Sequence, residues 1–109
     1  MTATNKILGQ ASPAITTETD LYTVPASTQA VASTLMICNR SGDATTFRIS
    51  VAVAGAATEN KQFLYYDITI GGYDTFAATV GMTLGAGDKV RVYAGAATLS
   101  FNLFGQEIA

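Results

Sequence analysis

Residues 30–54 read AVASTLMICNRSGDATTFRISVAVA, and this stretch decides the fold. From Ala30 to Arg40 residue types alternate with period two, placing Val31, Ser33, Leu35 and Ile37 on one face and Ala32, Thr34, Met36 and Cys38 on the other. Both sets are apolar or small, the pattern of a central strand covered on each side. Ser41-Gly42-Asp43 is turn chemistry. From Thr46 to Ala54 the alternation resumes, with Phe47, Ile49, Val51 and Val53 inward and Arg48, Ser50 and Ala52 outward. Two strands joined by a short turn predict a long hairpin.

The same period extends in both directions. Ile15–Glu18 is a short strand candidate, and Asp20–Val24 is a strand stopped by Pro25, which has no N–H for a ladder. Lys61–Ile70 (KQFLYYDITI) is the most aromatic strand and ends at Gly71-Gly72. Thr75–Leu84 turns Phe76, Ala78, Val80, Met82 and Leu84 to one side, Asp88–Ala94 does so with Val90, Val92 and Ala94, and Thr98–Gly105 with Leu99, Phe101 and Leu103. No window carries a convincing helical period. The expected fold is all-β: one antiparallel sandwich of about eight strands, of jelly-roll or immunoglobulin-like winding, or a flattened barrel. Residues 1–14 read as an N-terminal arm, polar at its tip with the apolar patch Lys6, Ile7, Leu8, or else as a first strand of the sheet. Residues 15–109 form the domain.

The totals narrow the function. Only 13% of the 109 residues are charged, against roughly a quarter in an ordinary soluble domain, and the strand faces that should meet water carry Thr, Ser, Ala and Gly. Faces so poor in charge adhere to something, which points to a building block of an assembly rather than a free enzyme. The net charge is −2 and the six basic residues are scattered, so no nucleic-acid stripe is expected. No apolar run is long enough to span a membrane as a helix, and the start of the chain lacks the pattern of a signal peptide. The single cysteine, Cys38, lies in an apolar run and reads as a buried structural thiol in a protein made in a reducing cytoplasm.

Catalytic constellations are scarce. There is no histidine, the commonest general base and metal ligand. Most carboxylates sit at turns, where Asp is ordinary turn chemistry. Glu18 and Asp20 admit a shared calcium ion as a minor reading. Asp67, inside LYYDITI, admits a cross-strand pair with Arg48 or Arg91. No catalytic, cofactor or metal residue is assigned. The aromatic group Phe63, Tyr65, Tyr66, Tyr73 and Phe76 can fill a core or an interface, or stack on sugars. Candidate partner-interface residues are therefore Lys6, Ile7, Leu8, Tyr65, Tyr66 and Tyr73.

LYTVPAST at 21–28, ICNRSGDATTFRISV at 37–51, KQFLYYDITI at 61–70, LGAGDKVRVYA at 84–94 and LSFNLFGQE at 99–107 together resemble small structural proteins of tailed bacteriophages. The resemblance spans nearly the whole chain and consists of strand and turn residues, with no active-site signature. It implies a non-enzymatic virion protein made in the host bacterial cytoplasm. The favoured role is a capsid decoration (cement) protein that bridges neighbouring subunits of the major capsid protein; a tail or fibre adaptor is the alternative. A homo-oligomer is expected from the uncharged second faces of the strands beginning at Ala30 and Thr75, with a trimer favoured from how such proteins sit at lattice symmetry points. A carbohydrate-binding sandwich module is the other class; Tyr65, Tyr66 and Tyr73 lining one exposed groove is what distinguishes it.

Overall fold

The computed structural model describes residues 2–109, so Met1 of the expected arm lies outside the described residues. Eight strands follow one another: β1 (Ala3–Ala11), β2 (Thr19–Thr23), β3 (Gln29–Asn39), β4 (Thr45–Ala52), β5 (Phe63–Ile70), β6 (Thr75–Leu84), β7 (Lys89–Ala94) and β8 (Leu99–Ile108). They form two four-stranded sheets, β1-β8-β3-β6 (sheet A) and β2-β7-β4-β5 (sheet B), in which every pair is antiparallel. The ladders join β1 to β8, β2 to β7, β3 to β6 and β4 to β5, so a long folded-over hairpin is wound into a sandwich. This is the jelly-roll arrangement, and it selects that winding from the three expected.

The core lies where the sequence places it. Leu35, Ile37, Phe47, Ile49, Val90, Val92, Leu99, Phe101 and Leu103 are buried, and Val51 packs against them half-covered. Phe47 of sheet B meets Phe101 of sheet A edge-on, with ring centroids 6.5 Å apart. The alternation of β6 also holds, with Met82 and Leu84 buried and Thr75, Ala77, Thr79 and Thr83 exposed.

The expected hairpin of residues 30–54 does not form, because β3 and β4 lie in different sheets. Asn39 supplies the physical reason. Its buried side chain donates to the carbonyls of Asp43 (2.8 Å) and Gly71 (3.1 Å) and accepts from the Ser41 N–H and the Thr98 hydroxyl. These bonds hold the chain in an arch that crosses the sandwich. The arch also packs on the turn after β5: a Cβ on Gly72 would fall 2.0 Å from the Gly42 carbonyl oxygen, so only glycine fits there.

Four local expectations are corrected. An irregularity between Ala32 and Thr34 shifts the phase of β3, so Ala30 and Ala32 face the core and Val31 and Ser33 do not. Val53 is 79% exposed because the chain leaves β4 at Ala52 and enters a 3-10 turn (Val53–Gly55) with Ala54 left-handed at φ 52°. Ile15–Glu18 is a loop, not a strand, with Ile15 exposed. The segment read as an arm is largely strand β1, paired along β8 from Ala3 to Ala11, with Leu8 buried.

At the β1/β2 margin the Tyr22 hydroxyl donates to Glu107 (2.5 Å), which also pairs with Lys6 (3.3 Å). The Tyr22 bond, then Lys6, holds the Glu107 carboxyl below its ordinary value of 4.5 against the opposing effect of burial. A depressed folded-state value adds stability above pH 4.5 that is lost as pH falls through the folded-state value. Acid titration of unfolding should therefore show a shallower loss below pH 4.5 in Tyr22→Phe than in the native chain. Superimposable acid limbs would show that the bond does not couple to folding.

Candidate functional site

The two outer faces of the sandwich differ in chemistry. Residues opposite one another in a ladder share a face, so register defines the outer rows of sheet A. The first row is Asn5, Gln106, Val31, Thr83, and the second is Ile7, Phe104, Thr34, Thr79. The third is Gln10, Asn102, Met36, Ala77, and the last is Ser100, Cys38, Thr75. None carries a charge. The only ionisable side chains of Asp, Glu, Lys or Arg type in these four strands, Lys6 and Glu107, lie in rows with Gly105 and with Ala30 and Leu84, on the core side, and pair with each other. The uncharged face is joined by amides: Gln10 donates to Asn102 and Gln106 to Asn5.

Within this face, where β1 and β3 both shift register, a shallow apolar cleft of about 630 Å³ opens over Gly105. Ile7, Val31 and Phe104 supply its apolar walls, Asn5, Ser33 and Gln106 its polar rim, and Lys6 also lines it. A Cβ on Gly105 would fall 2.1 Å from the Val31 carbonyl oxygen, so the close approach of β8 to β3 beneath the cleft requires glycine. Cys38 lies exposed on the same face, in place of the expected burial, because no other segment among the described residues covers the outside of sheet A there.

Sheet B carries the charge. Asp20 of β2 accepts from Lys89 (2.7 Å) and Arg91 (3.3 Å) of β7, and these cations hold its carboxyl below its ordinary value. Asp20 thus pairs with two cations, and Glu18 accepts a hydrogen bond from the Thr58 hydroxyl. Among the described residues no group of three or more His, Cys, Asp or Glu is placed to hold a metal ion. Arg91 reaches on to the carbonyls of Ala56 (2.7 Å) and Gly55 (3.2 Å), pinning the β4–β5 loop over sheet B. Ser50 and Ala52, outward members of β4, are consequently buried.

Arg48 pairs with Asp67 through two contacts, of 2.6 and 3.3 Å, as one of the two expected cross-strand pairs. Its guanidinium lies between the rings of Tyr66 (4.2 Å) and Tyr93 (4.4 Å). Phe63 meets Tyr66 edge-on at 5.0 Å. The candidate tyrosines are separated by the strand pleat, which puts neighbours Tyr65 and Tyr66 on opposite faces of β5, and by the turn that carries Tyr73. Tyr65 packs inward near Phe47 and Phe76, Tyr66 stands on the outer face of sheet B, and Tyr73 is 80% exposed on the turn beside Gly42. They do not line one groove, and Arg48 already covers ring surface of Tyr66 that a sugar would need. The N-terminal candidates separate as well: Leu8 enters the core, Ile7 joins the uncharged face and Lys6 pairs with Glu107. Val31, Met36 and Phe104 belong to that face although only the charge-free pattern, not any one residue type, signals them.

The chain matches no protein-family model, no curated protein and no solved structure. Among the described residues no helix is long and apolar enough to cross a membrane.

Proposed function

We propose that this chain is a non-enzymatic structural subunit of a tailed-bacteriophage virion, an accessory protein of the capsid-decoration kind that bridges neighbouring capsid subunits. The observation that carries the reading is the outer face of sheet A: four strands wide, without a charged side chain, and set against a sheet B that bears the ion pairs. Such a face lacks the charges that keep a sheet surface from associating, and its Ile7, Val31, Met36 and Phe104 gain by being covered. The jelly-roll winding occurs in viral capsid and lectin domains alike, an analogy of fold that adds weight but assigns no role. Bridging two or more lattice subunits makes each further contact intramolecular, so weak contacts sum to firm attachment. Binding the assembled shell but not free subunits then stabilises the shell. A homo-oligomer such as a trimer at a lattice symmetry point would present several copies of the face at once.

Met36 stands in the middle of this face and Thr69 is exposed on sheet B. Met36→Lys should leave the melting curve nearly unchanged, since exposed substitutions usually stay within about 0.5 kcal/mol, yet abolish occupancy on purified particles. Thr69→Lys should keep both. Full occupancy by Met36→Lys would remove sheet A as the docking face, and an image of the particle with the protein on the tail would replace the capsid role with that of a tail or fibre adaptor.

A further inference from the structure

The two long margins of the sandwich are unlike. At the β1/β2 margin the sheets close on each other: Leu8, Leu21 and Tyr22 are buried, and a Cβ on Gly9 would fall 2.1 Å from the Leu21 carbonyl oxygen. At the β5/β6 margin the strands are bridged only by side chains, with Tyr65 meeting Phe76 edge-on at 5.5 Å. Tyr65 and Ile68 of β5 and Phe76 and Val80 of β6 pack on the core but remain partly open to solvent. The strand edges differ in the same sense. An unpaired edge is normally blunted by charge, brevity or a bulge. Edge strand β1 has Lys6 and a register shift, β2 is five residues long and carries Asp20, and β5 has two register shifts with Asp67 left-handed at φ 52°. Edge strand β6 has ten residues with no charge and no proline. Its irregularity spans Val80 and Gly81, the latter at φ 57°, which leaves Thr75–Thr79 as a regular open edge beside the half-covered side chains.

We propose that two copies of this chain pair edge to edge, β6 against β6 about a two-fold axis at Ala77, joining their sheets A into one continuous sheet. The segment TFAAT at 75–79 suits this occupant because it complements itself. With Ala77 opposite Ala77, Thr75 of one copy faces Thr79 of the other, and Phe76 faces Ala78, large against small on the core side. Threonine pairs and aromatic-to-small contacts favour such a ladder, and no like charges oppose one another. Pairing also covers Phe76, Val80 and the β5 side chains beneath them. A margin about 20 Å long and about 15 Å deep on each copy has a footprint of about 300 Å², about 600 Å² over the two copies, the size of a weak and transient interface, so the pair forms reversibly. This margin borders the outer face of sheet A, to which Thr75, Ala77 and Thr79 also belong, but the pairing runs through the free backbone edge of β6, and the inference stands whether or not that face docks on a virion.

Sedimentation equilibrium of the full chain from about 10 μM to about 1 mM covers the range in which an interface of this size associates. The native chain should pass from monomer to dimer. Ala77→Lys and Ala77→Glu, at an exposed position, should each stay folded by circular dichroism and monomeric, because like charges then meet across the axis. An equimolar mixture of the two should recover a mixed dimer. Met36→Lys should dimerise as the native chain does, which separates this interface from docking by sheet A. A native chain monomeric throughout, a dimer that survives in Ala77→Lys, a mixture that remains monomeric, or loss of the dimer in Met36→Lys would each overturn the proposal.

Discussion

Phe101→Ala is expected to lower the unfolding free energy by about 3–5 kcal/mol, the range for removing a large buried aromatic side chain and leaving a cavity. Phe101 has no exposed surface. It lies on β8, held between β1 and β3, and shares a core row with Ile37 and Ala11. Its ring meets Phe47 from the facing sheet, so the cavity would open between two ladders that cannot easily collapse into it. A domain of this size has a total stability of about 5–15 kcal/mol, so the loss is a large fraction of the whole. Phe76→Ala should cost less, because Phe76 is already partly exposed at the open margin. Denaturant unfolding of both variants gives the comparison. Equal losses would mean that the two rings are equally enclosed.

Phe101 was assignable from sequence because Leu99–Leu103 alternates without interruption, as do Val90–Ala94 and Phe76–Leu84. Wherever a strand keeps its period, the core face can be read directly. Where an extra residue enters, the reading fails from that point. In β3 the irregularity after Ala32 exchanges the faces of Ala30, Val31 and Ala32, and in β5 two irregularities interrupt the pairing with β4 on either side of Tyr65. Bulges carry little local signal in residues as small as Ser33. Pairing between strands was less legible still. Ser41-Gly42-Asp43 is equally good chemistry for a hairpin and for an arch between sheets. The choice is made by Asn39, whose hydrogen-bond partners include Gly71 and Thr98, remote in the chain. The uncharged outer face of sheet A was visible as a scarcity of charge on the strands beginning at Ala30 and Thr75. Its neighbours β8 and β1 could be added only once the register was known.

Deletion of residues 1–11 is expected to destabilise the domain severely rather than to release a dispensable arm. The segment forms an entire edge strand along β8. The ladder bonds contribute about 0.5–1.5 kcal/mol each, while ordering each residue costs about 1–2 kcal/mol, so these terms largely offset one another. Apolar burial then decides. Leu8 is 8% exposed and its covering contributes about 1.5–3 kcal/mol. Its loss also opens Leu21 and Tyr22 at the closed margin and turns β8, with Phe101 and Leu103, from an internal strand into an edge. The pair between Lys6 and Glu107 disappears as well, although at 46% exposure of the lysine side chain it contributes little. Leu8→Ala alone should reproduce only part of the deficit, since it leaves the ladder and the cover over β8 in place. Thermal melts of the deletion, of Leu8→Ala and of the native chain should therefore fall in that order, from least to most stable. A deletion that melts with the native chain would mean that β8 is stable as an edge and that residues 1–11 are free to serve attachment alone.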